Sequence, residues 1–487
     1  MQATHPDDAH PSFPATAQLL AAGGDARIAL DPDSGANRYG CPPFPDPELA
    51  AFGSSTASVI STLGFAAADQ LRNRLAAATE TRDVIGAREF ERIRAELMRL
   101  CDLSDLPGLE TVFTSSGTDM HFLAGQLASG AQDKPTLAIM VEARETGSDV
   151  AAALSVSGSM EIASVPIRLD DGSPRPATEV DAEVEALVAA AAAQGRRILL
   201  ILVDVSKTGL IAPSPACVAR LHGRLPESLD VLVDACQFRI ATATLRAYLE
   251  QGFMVGLTGS KFIAGPTFSG VLLIPSAAAP RLRSNFRRRA AEENPGHADF
   301  GLLLRWEAAL AELRAFRAQP ENAVRDFLQA FALAVHHRLA KDAVFELLPT
   351  LPLARRPLAE ATGWDSVQTI FSFLLYRHHP HAARVPLNSE ETAQVSRLLQ
   401  LDLSGDGNFT SGKIAALRCQ LGQPVACGMR DGVAVSALRL CVSARLIVEA
   451  VANDGVGATA VIERAMAALD KTAQLAMRGR GEFIRPA

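Results

Sequence analysis

The stretch LTGSKFIAGPTFSGVLLIP, at residues 257–275, decides the fold of this 487-residue chain. It places Lys261 between two apolar runs, although only six of the 47 basic residues are lysines and arginine is the usual cation. Thr258 and Ser260 put hydroxyl groups beside that lysine. An amine among apolar neighbours tends towards its neutral form, which is the form that attacks an aldehyde. The alternative is a lysine that extends its ammonium to solvent from the end of a strand.

Seven short apolar runs lie between residues 111 and 275, separated by helical, often alanine-rich stretches such as DAEVEALVAAAAAQG. The runs are TVFTSS, TLAIMVEA, EIASVPI, RRILLILVDV, DVLVDAC, FMVGLTGS and SGVLLIP. This alternation predicts an α/β fold with a mainly parallel sheet between helices. Functional side chains in such a sheet gather at the carboxyl ends of the strands, so the polar residues that close each run are the candidates.

The first run is followed by SGTDMHFLAGQLA, in which Ser116, Gly117 and Thr118 open a predicted helix. Free backbone N–H groups, the positive end of the helix dipole and a hydroxyl together make an anion site that suits phosphate. Ordinary capping of the helix by Ser116 is the alternative.

A second candidate, Asp234, ends the apolar run of VLVDACQF. An ionised carboxylate is costly there unless a cation meets it, and capping of a helix is the alternative. A phosphate site, a buried acid and an amine, in this order, match the phosphate, the pyridine nitrogen and the aldehyde of pyridoxal phosphate. The sequence therefore predicts pyridoxal 5'-phosphate as the cofactor.

With these motifs, residues 55–275 resemble the fold-type I pyridoxal-phosphate enzymes, most closely the class V aminotransferases and cysteine desulfurases. The resemblance implies a large domain with a mainly parallel seven-stranded sheet and a smaller C-terminal α+β domain. It also implies a role for each motif residue. Gly117 and Thr118, with Ser116, Thr258 and Ser260, would hold the phosphate; Asp234 would pair with the pyridine nitrogen; Gln237 and Ser206 would approach the ring hydroxyl; and Lys261 would form the Schiff base.

Two further residues enter through the resemblance. Arg439 in ALRLCVSARL matches the family's substrate-carboxylate arginine, and a planar guanidinium inside an apolar strand needs an anion. Arg445 is a weaker match, with a surface role as the alternative. Lys207 in VDVSKTGLIAP is the rival for the Schiff base, but it precedes Asp234, whereas the family's lysine follows its aspartate.

The sequence departs from the family at two points. Where an aromatic or histidine ring usually stacks on the cofactor, VEARETGSDVAAA offers Glu145, Thr146 and Gly147, with Thr146 in the matching position. A desulfurase also needs a reactive cysteine on a mobile loop, and Cys427 stands roughly where one is sought. No nearby histidine or basic cluster lowers its pKa, so a structural cysteine is favoured.

Several other residues are candidates for the site. His121 follows the phosphate turn and faces the cofactor only if the helix phase is right. Arm residues Asn37 and Tyr39, with Arg38, Ser55 and Thr56, either bind substrate, in a neighbouring subunit's site, or simply pack. The cluster His378, His379 and His381 fits no helical metal-ligand pair, so no metal is expected.

The predicted organisation has four parts: a flexible N-terminal tail at 1–35, an N-terminal arm at 36–58, a large cofactor-binding domain at 59–300, and a connecting helix with a small domain at 301–487. The net charge of −7 and the pI near 5.9 predict no nucleic-acid partner. Because signal-peptide and membrane-spanning patterns are lacking, we expect no membrane association and a cytoplasmic protein. Seven scattered cysteines argue against a disulfide framework.

The function expected from these features is that of an enzyme acting on an amino acid or related amine that carries a carboxylate. Lys261 would form an aldimine with the cofactor, and the protonated ring would stabilise a carbanion on the substrate. A transferase of the aminotransferase type comes first, and a lyase or cysteine desulfurase second. A non-catalytic scaffold is the alternative from another class. The resembling enzymes build their sites between two subunits, so a homodimer is expected.

Overall fold

The computed structural model describes residues 13–129, 135–157, 159–278, 280, 282–285, 299–360, 362–378, 383–452 and 456–478. Two stretches of the sequence analysis, the N-terminal tail and the histidine cluster, fall partly outside these ranges. Residues 1–12 of the expected tail lie outside the described residues, and so do His379 and His381.

Fourteen strands are described. They are β1 (Ala50–Phe52), β2 (Glu110–Thr114), β3 (Thr136–Val141), β4 (Met160–Val165), β5 (Ile198–Asp204), β6 (Ile211–Ala212), β7 (Leu229–Asp234), β8 (Met254–Thr258), β9 (Gly270–Ile274), β10 (Phe345–Leu347), β11 (Ile370–Arg377), β12 (Val385–Pro386), β13 (Cys419–Arg430) and β14 (Val433–Cys441).

The helices of the described residues alternate with these strands. They are α1 (Thr16–Leu20), α2 (Thr62–Ala77), α3 (Arg82–Leu100), α4 (Gly117–Ala128), α5 (Val150–Val156), α6 (Ala177–Ala193), α7 (Pro215–Arg224), α8 (Thr242–Glu250), α9 (Phe300–Arg317), α10 (Glu321–Lys341), α11 (Ser389–Leu398), α12 (Gly412–Ala416), α13 (Ala444–Val451) and α14 (Val456–Ala476). A short 3-10 turn covers Trp364–Ser366.

The large sheet has the strand order β2-β9-β8-β7-β5-β3-β4, and β6 pairs with β5 at one side. Strands β8, β7, β5, β3 and β4 pair in parallel, whereas β9 runs against both β8 and β2. Every residue of the central strands β5 and β7 is buried, as expected of strands covered on both faces. The prediction of a mainly parallel seven-stranded sheet is confirmed.

The direction of these strands positions the site. Strand β2 is antiparallel to β9, and β9 is antiparallel to β8, so β2 runs in the same direction as the parallel strands. The carboxyl ends of β2, β3, β5, β7 and β8 therefore meet at one edge of the sheet. Asp234 ends β7, and the segments that follow the other strands contain Ser116, Gly147, Lys207 and Lys261.

The second sheet contains β1-β13-β14-β11-β10, with β12 beside β11, and it is antiparallel except for the β1–β13 pair. Together with the helices that follow α9, it is the smaller α+β unit that the sequence predicts. Strand β1 comes from the arm yet pairs with β13, so the N-terminal part of the chain crosses to this sheet.

The structure differs from the expectation of a flexible tail as far as residue 35. From residue 13 onward the described chain is packed: Leu19, Leu20 and Ile28 are buried, and α1 lies against α9. The acidic, proline-bearing start of the sequence suggested a tail, but these apolar side chains bury enough surface to fix the segment. Among the described residues, no helix is both long enough and apolar enough to cross a bilayer.

Candidate active site

A cavity of about 230 Å³ opens at the carboxyl edge of the large sheet. It is bounded by the loops after β2, β7 and β8, by the N-terminal segment and by the second sheet. Most of the predicted site residues line this cavity. They are Tyr39, Ser116, Gly117, Thr118, Asp234, Thr258, Ser260, Lys261 and Arg439.

Asp234 is buried at the end of β7, where its Oδ1 accepts a hydrogen bond of 3.1 Å from the backbone N–H of Cys236. Its Oδ2 lies 3.4 Å from Nε2 of His121. Burial alone raises the pKa of Asp234, but the charges of His121 and Lys261 and these hydrogen bonds outweigh burial and hold that pKa well below its usual range. These surroundings therefore favour the ionised form of this carboxylate.

His121 lines the cavity. It therefore lies on the side of α4 that faces the site, which the sequence alone left open. Its Nδ1 lies 2.7 Å from the carbonyl oxygen of Gly117, one turn earlier in α4. A carbonyl only accepts hydrogen bonds, so Nδ1 carries a proton and Nε2 points towards Asp234. His121 is thus a link between the start of α4 and the carboxylate.

Lys261 is half-buried, and its loop is fixed by aromatic packing and by close backbone contacts. The next residue, Phe262, stacks on Trp364 with ring centroids 5.2 Å apart. The hydroxyl of Ser58 donates a 3.3 Å hydrogen bond to the carbonyl of Lys261. A Cβ at Gly265 would lie 2.6 Å from the Cβ of Ala309 in α9, so only glycine allows this approach.

The amino terminus of α4 lies in the same wall of the cavity. The Ser116 hydroxyl accepts a 3.2 Å hydrogen bond from the backbone N–H of Asp119, as a helix cap does. A Cβ at Gly117 would come within 3.0 Å of Sγ of Cys236, so the chain is as close as glycine permits. Thr258 donates a 2.6 Å hydrogen bond to the carbonyl of Cys236 and so joins this turn to β8.

Four predicted residues do not line the cavity. Ser206 is buried and donates a 2.8 Å hydrogen bond to Oε2 of Glu145. Thr146 is buried beside Glu145, and Gly147 and Ser148 reach the cavity instead.

The other two are held by neighbouring segments. Gln237 donates a 3.0 Å hydrogen bond to the carbonyl of Ser55. The carboxamide oxygen of Asn37 accepts from the backbone N–H groups of Tyr39 and Cys41, and its amide lies 3.4 Å from the hydroxyl of Thr267. Thr267 itself lines the cavity.

Arg439, from the second sheet, and Lys207, from the segment after β5, add two cations to the cavity. Arg439 is buried and hydrogen-bonds the carbonyl of Gln423 and the hydroxyl of Thr56, the latter at 2.7 Å. Among the described residues it has no ion pair with a carboxylate, and burial lowers its pKa to about 10. Burial, together with the charges of Arg439 and Lys261, lowers the pKa of Lys207 to about 8.

Two residues weighed from the sequence lie elsewhere. Cys427 is buried in β13 against Leu348 and Leu374, and burial raises the pKa of its thiol. Arg445 pairs with Glu312 at 3.1 Å and donates to the carbonyls of Val59 and Ala264, so it joins segments of the fold.

Of the cavity residues that the sequence analysis did not single out, Arg27 is the charged one. It comes from the segment that was expected to be flexible, and its guanidinium reaches the hydroxyls of Ser116 and Thr118 at 3.4 and 3.2 Å. No motif marks it, because the cavity residues that it contacts, Ser116 and Thr118, are far away in the sequence.

No family model and no curated protein matches this sequence. Solved structures do match its fold. The glutamate decarboxylase domain of diaminobutyrate-pyruvate transaminase and L-2,4-diaminobutyrate decarboxylase from Vibrio parahaemolyticus superposes with a TM-score of 0.52 at 16% identity, covering 89% of this chain and 81% of that chain. SPT with a PLP internal aldimine gives a TM-score of 0.51 at 14% identity, covering 86% of each chain.

The cysteine desulfurase CsdA from Escherichia coli gives a TM-score of 0.50 at 15% identity, covering 87% of this chain and 95% of that chain. At such identities the similarity shows the fold alone. The resemblance stated from the motifs is confirmed at that level: the chain has the fold of the pyridoxal-phosphate-dependent enzymes of fold type I.

Proposed function

We propose that this protein is a pyridoxal-phosphate-dependent enzyme that acts on an amino acid or related amine as a transferase of the aminotransferase type. One observation carries the proposal: Asp234 and Lys261, from the ends of the adjacent parallel strands β7 and β8, line one cavity together with the amino terminus of α4. The fold alone would not support this function, because one fold hosts many activities.

The chemistry of the donor set fits the cofactor. A twelve-residue helix begins at the cavity with free N–H groups and hydroxyls, which suits a phosphate. Asp234 is buried and its pKa is held below the usual range, which suits a protonated pyridine nitrogen. When bound, pyridoxal phosphate supplies an electron sink for negative charge at the substrate α carbon.

The chain's own residues would divide the remaining work. Asp234 would hold the proton of the ring nitrogen, and His121 would hold the carboxylate of Asp234 in position from its other side. Lys261 would hold the aldehyde carbon and, once free, would carry a proton to or from the substrate α carbon. Arg439 would bind the substrate carboxylate, since its buried guanidinium has no carboxylate partner among the described residues.

The desulfurase alternative has less support from the site. Cys427 is buried in a strand, does not line the cavity and has a raised thiol pKa, which are properties of an unreactive cysteine. We also propose a homodimer in the cytoplasm, as expected from the resembling enzymes, and sedimentation or light scattering of the purified protein tests the dimer.

The experiment uses the two lysines of the cavity as a matched pair. Purified protein is incubated with pyridoxal phosphate and then with borohydride, and the labelled peptide is identified by mass spectrometry. We expect a yellow protein whose label is fixed on Lys261, and loss of the label in Lys261→Ala. Lys207→Met removes the other amine of the same cavity and should keep the label. A label on Lys207, or no bound cofactor, would overturn the proposal.

A panel of amino acids then separates the reaction classes by their products. Formation of a keto acid with transfer of the amino group supports a transferase. Release of carbon dioxide, an aldehyde or sulfide instead supports a lyase or desulfurase and rejects the aminotransferase assignment.

A further inference from the structure

We propose that Arg27 binds the phosphate of the cofactor and supplies the positive charge that the rest of the phosphate site lacks. The inference rests on the proposed function and deepens it by assigning the phosphate a partner from the N-terminal segment. It concerns a residue that lies outside every motif by which the sequence resembles other enzymes.

The side chains that form the phosphate site on the scaffold carry no positive charge. Its side chains, those of Ser116, Thr118, Thr258 and Ser260, are all hydroxyls, and Gly117 contributes only backbone. A phosphate ester carries close to two negative charges at neutral pH. Hydroxyls and a helix terminus orient such a group, but a guanidinium adds charge-assisted hydrogen bonds that are about twice as strong as neutral ones.

Arg27 is the cation that contacts this site within the described part of the chain. Its Nη1 lies 3.2 Å from Oγ1 of Thr118, and its Nη2 lies 3.4 Å from Oγ of Ser116. The guanidinium therefore faces the same two hydroxyls that open α4. A phosphate bound at the start of α4 would lie within reach of both nitrogens.

The guanidinium is held in place from the other sides. Asp25 accepts from its Nε at 2.9 Å and from its Nη2 at 2.5 Å, and Asp149 lies 3.3 Å from its Nη1. The ring of Phe268 lies beneath it, 5.2 Å from centroid to Cζ. Both carboxylate side chains are 49% exposed, whereas that of Arg27 is only 15% exposed. The carboxylates thus hold the arginine from its solvent side and leave the cavity side to a ligand.

The backbone that delivers Arg27 is anchored to the core by one arginine of α9. Arg305 is completely buried and donates hydrogen bonds to the carbonyls of Phe268 and Ala22, at 2.7 and 2.5 Å. It thereby ties the loop under the guanidinium to the segment that carries Arg27.

Two glycines with positive φ lie between Ala22, whose carbonyl Arg305 binds, and Arg27. They are Gly23, with φ of 75°, and Gly24, with φ of 83°. A Cβ at Gly24 would lie 3.0 Å from the ring of Phe268. Glycine at this position lets the chain pass against the ring and turn back towards the cavity. The position of Arg27 therefore depends on a specific and closely packed path of the chain.

The test compares two ligands that differ only in the phosphate. Dissociation constants of pyridoxal phosphate and of pyridoxal are measured by absorbance and fluorescence for the wild type, Arg27→Gln and Arg27→Lys. We expect Arg27→Gln to weaken binding of pyridoxal phosphate about 10- to 100-fold, the usual worth of hydrogen bonds to a charged group, and to leave pyridoxal unchanged. Arg27→Lys keeps the positive charge but lacks the paired N–H donors of the guanidinium, so its loss of affinity for pyridoxal phosphate should be smaller than that of Arg27→Gln.

Arg356→Gln is the matched control, because Arg356 is an exposed arginine that pairs with Glu360 and lies away from the cavity. It should bind both ligands like the wild type. Equal losses for both ligands in Arg27→Gln would mean a general disturbance of the site, and no loss would mean no phosphate contact; either result overturns the inference. If the wild type binds pyridoxal phosphate and Arg27→Gln binds it equally well, the proposed function stands without this inference. If the wild type binds neither ligand, both fail.

Discussion

The two ends of the cavity are built in different ways. At the ring end, Asp234 ends β7 and Lys261 lies in the turn after the adjacent strand β8, and each belongs to a local sequence motif. At the phosphate end, the start of α4 is met by Arg27, which is 91 positions away from Thr118 in the sequence. The charged groups of the ring end belong to the sheet and its loops, whereas the positive charge at the phosphate end comes from the N-terminal segment.

The comparison shows that the two ends of one cavity depend on different parts of the structure. The ring end can be disturbed only by changing the sheet edge itself, whose strands are fully buried. The phosphate end depends on a segment held by Arg305 and by close contact at two glycines. Mutations at the ring end should therefore change chemistry, and mutations at the phosphate end should change affinity.

The largest effect is expected at the ring end, from Asp234→Asn. Removing the buried negative charge should reduce turnover of the substrate found in the amino acid panel on the order of 10²- to 10³-fold, while borohydride still fixes the cofactor on Lys261. Asp230→Asn is the control, because Asp230 is a buried aspartate near the opposite end of β7. Equal turnover in the two variants would contradict the role of Asp234.

The phosphate end is tested by Gly24→Ala. A methyl group there meets the Phe268 ring at 3.0 Å, and the positive φ adds strain, so unfolding free energy should fall by about 1–3 kcal/mol through overpacking beyond the φ cost. Affinity for pyridoxal phosphate should fall as well. Both are measured by urea unfolding and by ligand titration.

Gly35→Ala separates the contact from the strain. Gly35 also has a positive φ, 64°, but a Cβ there meets nothing within 4 Å. It should show only the cost of the left-handed conformation, about 1 kcal/mol, with unchanged affinity for the cofactor. If both variants lose the same stability and affinity, the packing against Phe268 does not position the segment.

The last prediction concerns the protonation of Lys207 in the ligand-free protein. Below pH of about 8 its ammonium is charged in both the folded and unfolded states, and burial penalises the folded state, so Lys207→Met should be more stable by about 1–2 kcal/mol. As pH rises from about 8 towards 10.5, the folded protein releases this proton first and the penalty disappears. The free energy of unfolding of the wild type should therefore approach that of the variant, and a difference that does not vary with pH would contradict the lowered pKa.

Much of the fold was predictable from the sequence because its information is local. Buried parallel strands are continuous apolar runs, and each ends in a polar residue that the strand direction brings to one edge. Asp234, Lys261 and Gly117 were found in this way. Their places in the cavity follow from where the strands stop.

The rest depended on contacts between distant segments. Ser206 and Thr208 donate hydrogen bonds to Glu145, whose buried carboxylate also pairs with Arg168 at 3.0 Å, so Ser206 is not available to the cavity. Nothing in the sequence around Ser206 indicates this carboxylate. Arg27 could not be predicted for the same reason. The sequence around it, GGDAR, is that of an ordinary loop, and only the fold brings Phe268 and Arg305 next to it.

Arg305 has a consequence for any shortened version of the protein. Two of the backbone oxygens that satisfy its guanidinium, those of Leu20 and Ala22, belong to the N-terminal segment. Deleting the first 28 residues would strip a wholly buried cation of these acceptors as well as removing Arg27. Residues 13–28, which the sequence suggested to be part of a flexible tail, thus complete the protein interior, and their removal would destabilise the fold as well as the ligand site.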